Sequence, residues 1–227
     1  MCGRFDQHTD PELFAERLGV SLYRIRTHGA HSRYNVAPSH VVLAARLDGE
    51  GERELVGLKW GLIPFWSKQP KTAYSTINAR AETVDTKPTY KHSFRNRRCL
   101  IPADGFFEWR KTGDGKQPFY ITSAQDQGFA FAGLWDRWRP QSSDEEAIES
   151  CSILVTTANA VMAPIHDRMP VILVPADYGR WLAPDTTGDE LKSILQPCDP
   201  ETIKAWPVST RVNNPKNDGV ECLEPIA

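Results

Sequence analysis

Residues 98–110 read RCLIPADGFFEWR and hold two runs of apolar and aromatic residues that are typical of β-strands. The runs are Arg98–Ile101 and Phe106–Arg110. Because side chains alternate along a strand, Glu108 shares a face with Arg110. A carboxylate among aromatic residues is either paired with a cation, here Arg110 or Lys111, or kept partly protonated by burial. The second alternative would suit Glu108 for proton transfer.

Strand-like runs recur along the chain and outnumber the helical patterns. The further runs are Val41–Arg46, Leu55–Trp60, Phe119–Thr122, Phe129–Leu134, Cys151–Thr157 and Val171–Val174. A helix is predicted to begin at Thr9-Asp10-Pro11-Glu12, where cap residues precede a first-turn proline. Short helices are also predicted at Asn78–Val84, Thr89–Arg95, Ala176–Leu182 and Asp189–Leu195. Since strands and helices do not alternate regularly, we expect an α+β fold. It is predicted to be a single domain, residues 1–227, around a mainly antiparallel, barrel-like sheet.

The composition is that of an ordinary globular protein, with 40% hydrophobic and 25% charged residues. We find no apolar run of membrane-spanning length and no signal pattern, so a cytoplasmic, nucleoid-associated location is expected for a bacterial protein. The five cysteines are widely spread and form no C-x-x-C pair, which argues against a disulfide framework or a cysteine-based zinc site. Cys99 and Cys151 lie in apolar runs and are expected in the core. The polar segment 140–150 is expected to be a surface loop.

The net charge is only −2, so no global charge indicates a nucleic-acid partner. A local exception is the stretch 87–98, KPTYKHSFRNRR, which holds five basic residues and no acidic one. Such a stretch is either a solvated face or a surface that follows phosphates, with its aromatic residues stacking on bases. Both alternatives remain open at the level of sequence.

Cys2 follows the initiator methionine in the opening MCGRF. If Met1 is removed, Cys2 carries a free α-amine and a thiol on adjacent carbons. This amine, with a pKa near ~7.8, is far more often neutral at physiological pH than a lysine near ~10.4. An aldehyde could form an imine with the amine, and the thiol could then close a five-membered thiazolidine ring. Gly3 permits close approach to this terminus.

Three further segments hold candidate functional residues. In Asn78-Ala79-Arg80-Ala81-Glu82, a helical turn would present an amide and a guanidinium side by side, or Arg80 and Glu82 would simply be solvated. The segment 60–66, WGLIPFW, is either core or a wedge that stacks on bases. The imidazole of His166 could transfer protons at neutral pH, with Arg168 holding an anion beside it, or it could be structural. The other histidines show no metal-binding spacing, and neither a metal nor a cofactor is predicted.

Several of these segments together resemble the SOS response-associated peptidase (SRAP) family. The resemblance rests on Cys2 after Met1, Arg33–Pro38, Trp60–Pro64, Asn78–Arg80, Ala103–Trp109 and His166–Pro170, in this order along nearly the whole chain. It implies the SRAP fold and an enzyme that crosslinks abasic sites in single-stranded DNA, with lyase-type activity. It also implies a peptidase that removes its own methionine, although Met1 before cysteine equally suits a general aminopeptidase.

The resemblance also assigns roles to individual residues. Cys2 would trap the ring-opened abasic aldehyde, Asn78 would position the Cys2 terminus, Glu108 would transfer protons, and His166 would assist sugar ring opening and reversal. The phosphates around the lesion would be held by Arg4, Arg80 and Arg168, and Trp66 with Pro38 would wedge against neighbouring bases. The expected partner is single-stranded DNA, bound by a monomer without membrane association.

Two other function classes fit part of the same pattern. N-terminal-nucleophile glutamine amidotransferases also begin with Met-Cys-Gly, and their cysteine attacks an amide. A non-covalent module that binds single strands by stacking and charge would leave Cys2 without a role. The first would release ammonia in a Cys2-dependent way, and the second would bind equally well after Cys2→Ala.

Overall fold

The computed structural model describes residues 2–70, 76–140 and 146–226 of the chain. The strands are β1 (Arg4–Gln7), β2 (Ile25–Arg26), β3 (Arg33–Val36), β4 (Val41–Leu47), β5 (Arg53–Trp60), β6 (Asn78–Arg80), β7 (Arg98–Ala103), β8 (Gly105–Thr112), β9 (Gly115–Ser123), β10 (Phe129–Trp138), β11 (Ile148–Thr157), β12 (Arg168–Pro170) and β13 (Ile203–Pro207). The helices are α1 (Pro11–Leu18), α2 (Lys91–Asn96), α3 (Tyr178–Leu182) and α4 (Gly188–Ile194).

Five strands pair in a closed ring. β4 pairs antiparallel with β5 and β7, and β10 pairs antiparallel with β7 and β11. β11 then runs parallel to β5, with Ser150 opposite Lys59 and Cys151 opposite Trp60, which completes the ring. The ring strands are rich in β-branched and aromatic residues and are buried on both faces, because helices cover one face and the second sheet covers the other.

The second sheet has the strand order β13-β9-β8-β1-β3 and is antiparallel throughout. Alternation along β8 sends Phe106 toward Phe5 and the barrel, while Phe107 and Tyr120 pack in a separate cluster with Val208. The chain N-terminus therefore enters this sheet as an interior strand, because β1 is hydrogen-bonded to the edge strand β3 on one side and to β8 on the other.

Helix α1 forms where the cap residues predict it. The Asp10 side chain accepts a hydrogen bond of 2.8 Å from the Glu12 main-chain nitrogen, and Pro11 opens the first turn. Gly19 ends the helix at φ 65°, a left-handed conformation that glycine adopts without steric cost. The buried face of α1 consists of Phe14, Ala15 and Leu18, which pack against the barrel.

The α+β prediction with a mainly antiparallel, barrel-like sheet is confirmed, and seven of the strand-like runs lie within strands β4, β5, β7, β8, β9, β10 and β11. Helices α2, α3 and α4 overlap their predicted segments. The buried positions of Cys99 and Cys151 are also confirmed. In the part of the chain that the structure describes, no helix has the length and apolar character that a membrane span requires. The domain limits 1–227 stay a prediction.

Two sequence predictions are wrong. The helix predicted at Asn78–Val84 is instead β6 followed by turns, because β11 takes its main-chain hydrogen bonds: Ile153 donates to the Ile77 carbonyl and Ala81 donates to the Val155 carbonyl. The strand predicted at Val171–Val174 lies earlier, at β12, with only an isolated bridge at Ile172. Of the loop predicted at 140–150, residues 141–145 lie outside the described residues and 148–150 belong to β11.

Candidate active site

Cys2 is fully buried just before β1, within the core cluster that joins the two sheets. The side-chain amide of Asn78, on β6, donates a hydrogen bond of 2.8 Å to the Cys2 main-chain carbonyl. The Asn78 Oδ1 atom is also buried, and none of the described residues hydrogen-bonds to it. The structure thus brings Asn78 to Cys2 across a separation of 76 residues and leaves one amide acceptor at the terminus.

Glu108 lies on β8, the strand paired with β1, one residue beyond the Arg4↔Phe107 pair. Its residue exposure is only 2%. Burial raises the pKa of the Cys2 thiol well above its usual range, and the negative charge of Glu108 raises it further. The alternative partner Arg110 places its guanidinium 4.7 Å from the centroid of the Phe119 ring. The sheet register therefore sets the Glu108 carboxylate within electrostatic reach of the Cys2 thiol.

His166 precedes β12, and its ring is partly exposed. The Nδ1 atom accepts a hydrogen bond of 3.0 Å from the Arg168 main-chain nitrogen and lies 2.9 Å from Asp167 Oδ1. These contacts hold the ring through its Nδ1 atom. Strands β12 and β6 both pair with β11 at Val155. The segment after His166 and the segment that begins at Asn78 are therefore both held by β11.

Two of the predicted phosphate-binding arginines lie on this same strand system. Arg80 is opposite Val155 and Arg168 is opposite Thr157. Arg168 forms an ion pair with Glu82. Although burial acts to raise it, the pKa of Glu82 is lowered overall by hydrogen bonds, one of them from Arg168, and by the charges of both arginines. Glu82 thus already supplies an anion to Arg168.

Arg4 has a different setting from the other two arginines. Its guanidinium donates hydrogen bonds to Asn35 Oδ1 at 2.9 Å and to the carbonyls of Val212 and Asn213 at 2.8 and 3.0 Å. Arg4 therefore ties β1 to the segment after β13, and its contact with a phosphate stays a prediction.

The proposed wedge residues lie on loops next to β5. In the segment 60–66, Trp60, Leu62 and Ile63 are fully buried, whereas Phe65 and Trp66 are exposed at 48% and 55%. The first half of this segment therefore belongs to the core, whereas the second half presents an exposed aromatic pair. Pro38 is partly exposed and precedes Ser39, whose main-chain nitrogen donates to the Trp60 carbonyl at 2.8 Å.

Sequence and structure comparisons place this geometry among known proteins. Residues 1–215 match the profile of the SOS response associated peptidase (SRAP) family. The chain belongs to the SRAP family. It is 40% identical to the abasic site processing protein YoqW of Bacillus subtilis over 99% of both chains, and 34% identical to YedK of Escherichia coli over the full length of both. Its fold is similar to that of a Bacteroides thetaiotaomicron protein, with a TM-score of 0.86 and 26% identity over both full chains.

Some residues of the basic stretch 87–98 of this SRAP chain are packed into the fold, and others are exposed. Arg98 is buried and donates to the main-chain carbonyls of residues 94, 95, 181 and 183, and Arg97 pairs with Asp136. Lys87, Lys91 and Arg95 are exposed. The stretch is therefore not wholly a solvated face.

Two SRAP residues that support the site were not singled out as functional from the sequence. The Tyr90 hydroxyl donates a hydrogen bond of 3.0 Å to the Asn78 carbonyl and so holds β6 in place. The buried Asn35 amide donates to the carbonyls of Val212, Asn214 and Asn217. Both lie in segments that the sequence analysis quoted, but their partners are distant in sequence and carry no local signal.

Proposed function

We propose that this SRAP protein binds single-stranded DNA and traps the ring-opened aldehyde of an abasic site as a covalent thiazolidine at Cys2. The observation that carries the proposal is the Asn78 hydrogen bond to the Cys2 carbonyl, beside the buried Glu108. YoqW, YedK and the Xenopus tropicalis protein HMCES are named as abasic site processing proteins, and the chain is 34 to 40% identical to them.

The proposed reaction consumes one aldehyde, one amine and one thiol and releases one water. The Cys2 α-amine adds to the aldehyde carbon, the carbonyl oxygen leaves as water after proton transfer, and an imine results. The Cys2 sulfur then adds to the imine carbon, and its proton passes to the nitrogen. Glu108 is suited to take the proton from the adding amine and return it to the departing oxygen. His166 would take part in opening the sugar ring and in reversal.

Asn78 would hold the reacting terminus in place. Its amide N–H group already binds the Cys2 carbonyl, and its buried Oδ1 atom is an acceptor that an α-amine N–H could satisfy. An oriented amine approaches a bound aldehyde without a further loss of freedom, which is a major source of rate enhancement. Arg80 and Arg168 would hold the flanking phosphates. Arg4 would support β1, which it ties to the segment after β13.

The reaction requires that Met1 be removed, because a peptide nitrogen cannot form the imine. Met1 lies outside the described residues. The family name describes a peptidase, and we propose that hydrolysis of the Met1–Cys2 bond precedes trapping, either by this protein itself or by an aminopeptidase.

The state of the thiol favours this chemistry over amide cleavage by a thiolate. A cysteine that attacks an amide needs a lowered pKa or an adjacent base, and burial and Glu108 raise the pKa of the Cys2 thiol. In the thiazolidine route the amine attacks first and the thiol adds only to the more reactive imine. The raised pKa therefore disfavours attack by a resting thiolate and leaves attack by the amine unaffected.

The test is a crosslinking assay on denaturing gels with a single-stranded oligonucleotide that carries one abasic site. Intact mass first establishes that the protein begins at Cys2. We expect a species that survives denaturation, forms only with the abasic strand, and is lost in Cys2→Ala. Cys198→Ala is the matched control, because Cys198 is a partly exposed thiol outside the site, and this variant should react as wild type.

Each alternative predicts a different result with the same protein variants, and ammonia release from glutamine is measured alongside crosslinking. Binding without a denaturation-resistant species, unchanged by Cys2→Ala, would identify a non-covalent single-strand module. Ammonia release from glutamine that depends on Cys2, again without crosslinking, would identify an amidohydrolase. A crosslink that persists in Cys2→Ala and disappears in Cys198→Ala would place the reactive thiol elsewhere.

A further inference from the structure

A buried hydrogen-bonded network lies at the end of β1 opposite to Cys2. Asp6 is fully buried; its Oδ1 atom is 2.8 Å from His8 Nδ1, and its Oδ2 atom accepts a hydrogen bond of 2.7 Å from the Tyr120 hydroxyl. His8 Nδ1 is also 3.3 Å from Asp104 Oδ2. The aldehyde-trapping mechanism gives none of these residues a role.

The carboxylate oxygens of this network are all engaged within the protein. Asp104 Oδ1 accepts from the Thr9 hydroxyl at 2.6 Å, and Asp104 Oδ2 accepts from the main-chain nitrogens of His8 and Thr9 at 2.7 and 2.8 Å. With the two oxygens of Asp6 held by His8 and Tyr120, the network is closed. Such an arrangement fixes the main chain around it and does not present a ligand site.

The network joins β1 to both of its neighbours. Asp6 is opposite Gly105 at the start of β8, and the His8 ring stacks on Tyr34 of β3 with centroids 4.5 Å apart. Gly105 is essential to this arrangement, because a Cβ atom there would lie 2.4 Å from the Tyr120 hydroxyl oxygen. The glycine lets Tyr120 cross β8 and reach Asp6, so the network fixes the register of β1 against the strand that carries Glu108.

We infer that Asp6, His8 and Tyr120 are positioning residues for the reaction proposed at Cys2, holding the N-terminal strand in register with Glu108. This inference rests on the proposed function. The ionised Asp6 carboxylate accepts hydrogen bonds from both His8 and Tyr120 and so holds β1 in one position, at a cost in overall stability because its charge is buried. When Asp6 loses its charge, by substitution or by acid, the tie to His8 weakens and the Cys2 terminus moves relative to Glu108.

The groups that face Asp6 place its titration near neutral pH. Burial raises the pKa of Asp6 to about 6, and the like charge of Asp104 adds to this, while the hydrogen bonds from His8 and Tyr120 act in the opposite direction. The hydrogen bond with Asp6 raises the pKa of His8. Burial also raises the pKa of Tyr120, so its hydroxyl remains a donor.

The experiment compares crosslinking rates of wild type and Asp6→Asn on the same abasic single strand between pH 5 and 7.5. Asparagine has the size of aspartate and keeps an acceptor and a donor, but carries no charge. The ratio of the two rates cancels the titration of the α-amine, near ~7.8, which both proteins share. We expect the ratio of wild type to variant to rise from near one at pH 5 to fivefold or more at pH 7.5.

Two further variants keep the test decisive. Tyr120→Phe removes only the hydroxyl, a hydrogen bond that lowers the pKa of Asp6, so its crosslinking rate should rise at a higher pH than that of wild type, even if Asp6→Asn does not fold. Ser123→Ala is the matched control: Ser123 lies on β9 with Tyr120, and its hydroxyl accepts a hydrogen bond from the Gln125 main-chain nitrogen, outside the carboxylate network. Its ratio to wild type should be constant with pH.

The outcomes separate this inference from the proposed function. If wild type crosslinks but the Asp6→Asn and Tyr120→Phe ratios are independent of pH, the network is merely structural and the inference is wrong. If wild type with a verified Cys2 terminus does not crosslink at any pH, the proposed function itself fails, and the inference fails with it.

Discussion

The side-chain amide of Asn78 donates a hydrogen bond of 2.8 Å to the main-chain carbonyl of Cys2. This contact joins the first residues of the chain to a short strand of the barrel system, and it sets where the N-terminal amine and thiol can react. The following predictions test this site and the surfaces around it.

Asn78→Ala is expected to slow crosslinking by about tenfold or more. The variant leaves the buried Cys2 carbonyl without its donor, which costs about 1–3 kcal/mol, and it frees the terminus from its orientation. Rates on abasic single strands measure the effect. Asn96→Ala is the control, because Asn96 is an exposed amide on α2 that donates to the His92 carbonyl of its own helix. Equal rates for Asn78→Ala and wild type would remove the positioning role.

Glu82→Gln is expected to tighten binding to intact single-stranded DNA by several-fold. The Glu82 carboxylate pairs with Arg168 and lowers the local positive potential. The substitution removes this carboxylate and so raises the positive potential. Fluorescence anisotropy over a salt series measures the effect, and the slope of log affinity against log salt should steepen by up to about 0.7. Asp85→Asn, which breaks the neighbouring Asp85–Lys192 pair, should change neither quantity. Weaker binding by Glu82→Gln would show that the carboxylate holds Arg168 in place for DNA.

Trp66→Ala is expected to weaken binding to single-stranded DNA while leaving stability within about 0.5 kcal/mol of wild type. The ring is 55% exposed, so its loss opens no core cavity, whereas a stacked base contributes about 1–3 kcal/mol. Anisotropy titration and urea unfolding give the two numbers. Tyr23→Ala removes another aromatic side chain, 79% exposed, and should leave affinity unchanged. A Trp66→Ala variant with wild-type affinity would exclude the wedge.

Ser39→Gly is expected to stabilise the protein by about 0.5–1 kcal/mol. Ser39 has φ 73°, and relief of the left-handed conformation exceeds the entropic cost of glycine. Urea unfolding monitored by tryptophan fluorescence measures the change. Ser21→Gly is the control: Ser21 has φ −69° and no side-chain capping bond, so glycine should bring no gain there. A loss of stability at Ser39→Gly would mean that the turn is not strained.

The pH dependence of stability is expected to differ between wild type and Asp6→Asn. The folded pKa of Asp6 is about 6, so between its ordinary value near ~3.9 and this value the native state holds a proton that the unfolded state releases. The Asp6 contribution to stability is therefore present at acidic pH and lost as pH rises through 6. The pKa of His8 is also raised, so its contribution to stability is likewise lost as pH rises above the ordinary pKa of histidine.

The free energies of unfolding of both proteins, measured in urea at pH 4.5 and 7.5, test this expectation. The stability of Asp6→Asn relative to wild type should rise by about 2 kcal/mol between these two pH values. Asp126→Asn is the control, because Asp126 is an exposed partner of Lys204. A difference between wild type and Asp6→Asn that is constant with pH would contradict the raised pKa of Asp6.

Local pattern was sufficient for much of the fold. The runs around Leu100, Phe106 and Ile153 are strands because they are apolar, aromatic or β-branched, and α1 begins at Asp10 because its side chain caps the first turn. Pattern failed at Asn78, where residues with no strand signal form β6. Only the hydrogen bonds offered by β11, more than 70 residues away in sequence, make them a strand.

By itself, the sequence determined which chemical groups this protein has: a cysteine at position 2, a carboxylate in an aromatic strand, a histidine before an arginine, and the order of motifs shared with the SRAP family. Only the tertiary structure decided their relations. It placed the Asn78 amide on the Cys2 carbonyl, Glu108 near the thiol, Glu82 on Arg168, and Asp6 within hydrogen-bond distance of His8 and Tyr120. The physical reason is that strand pairing and burial join residues far apart in the chain, whereas composition and periodicity report only on neighbours.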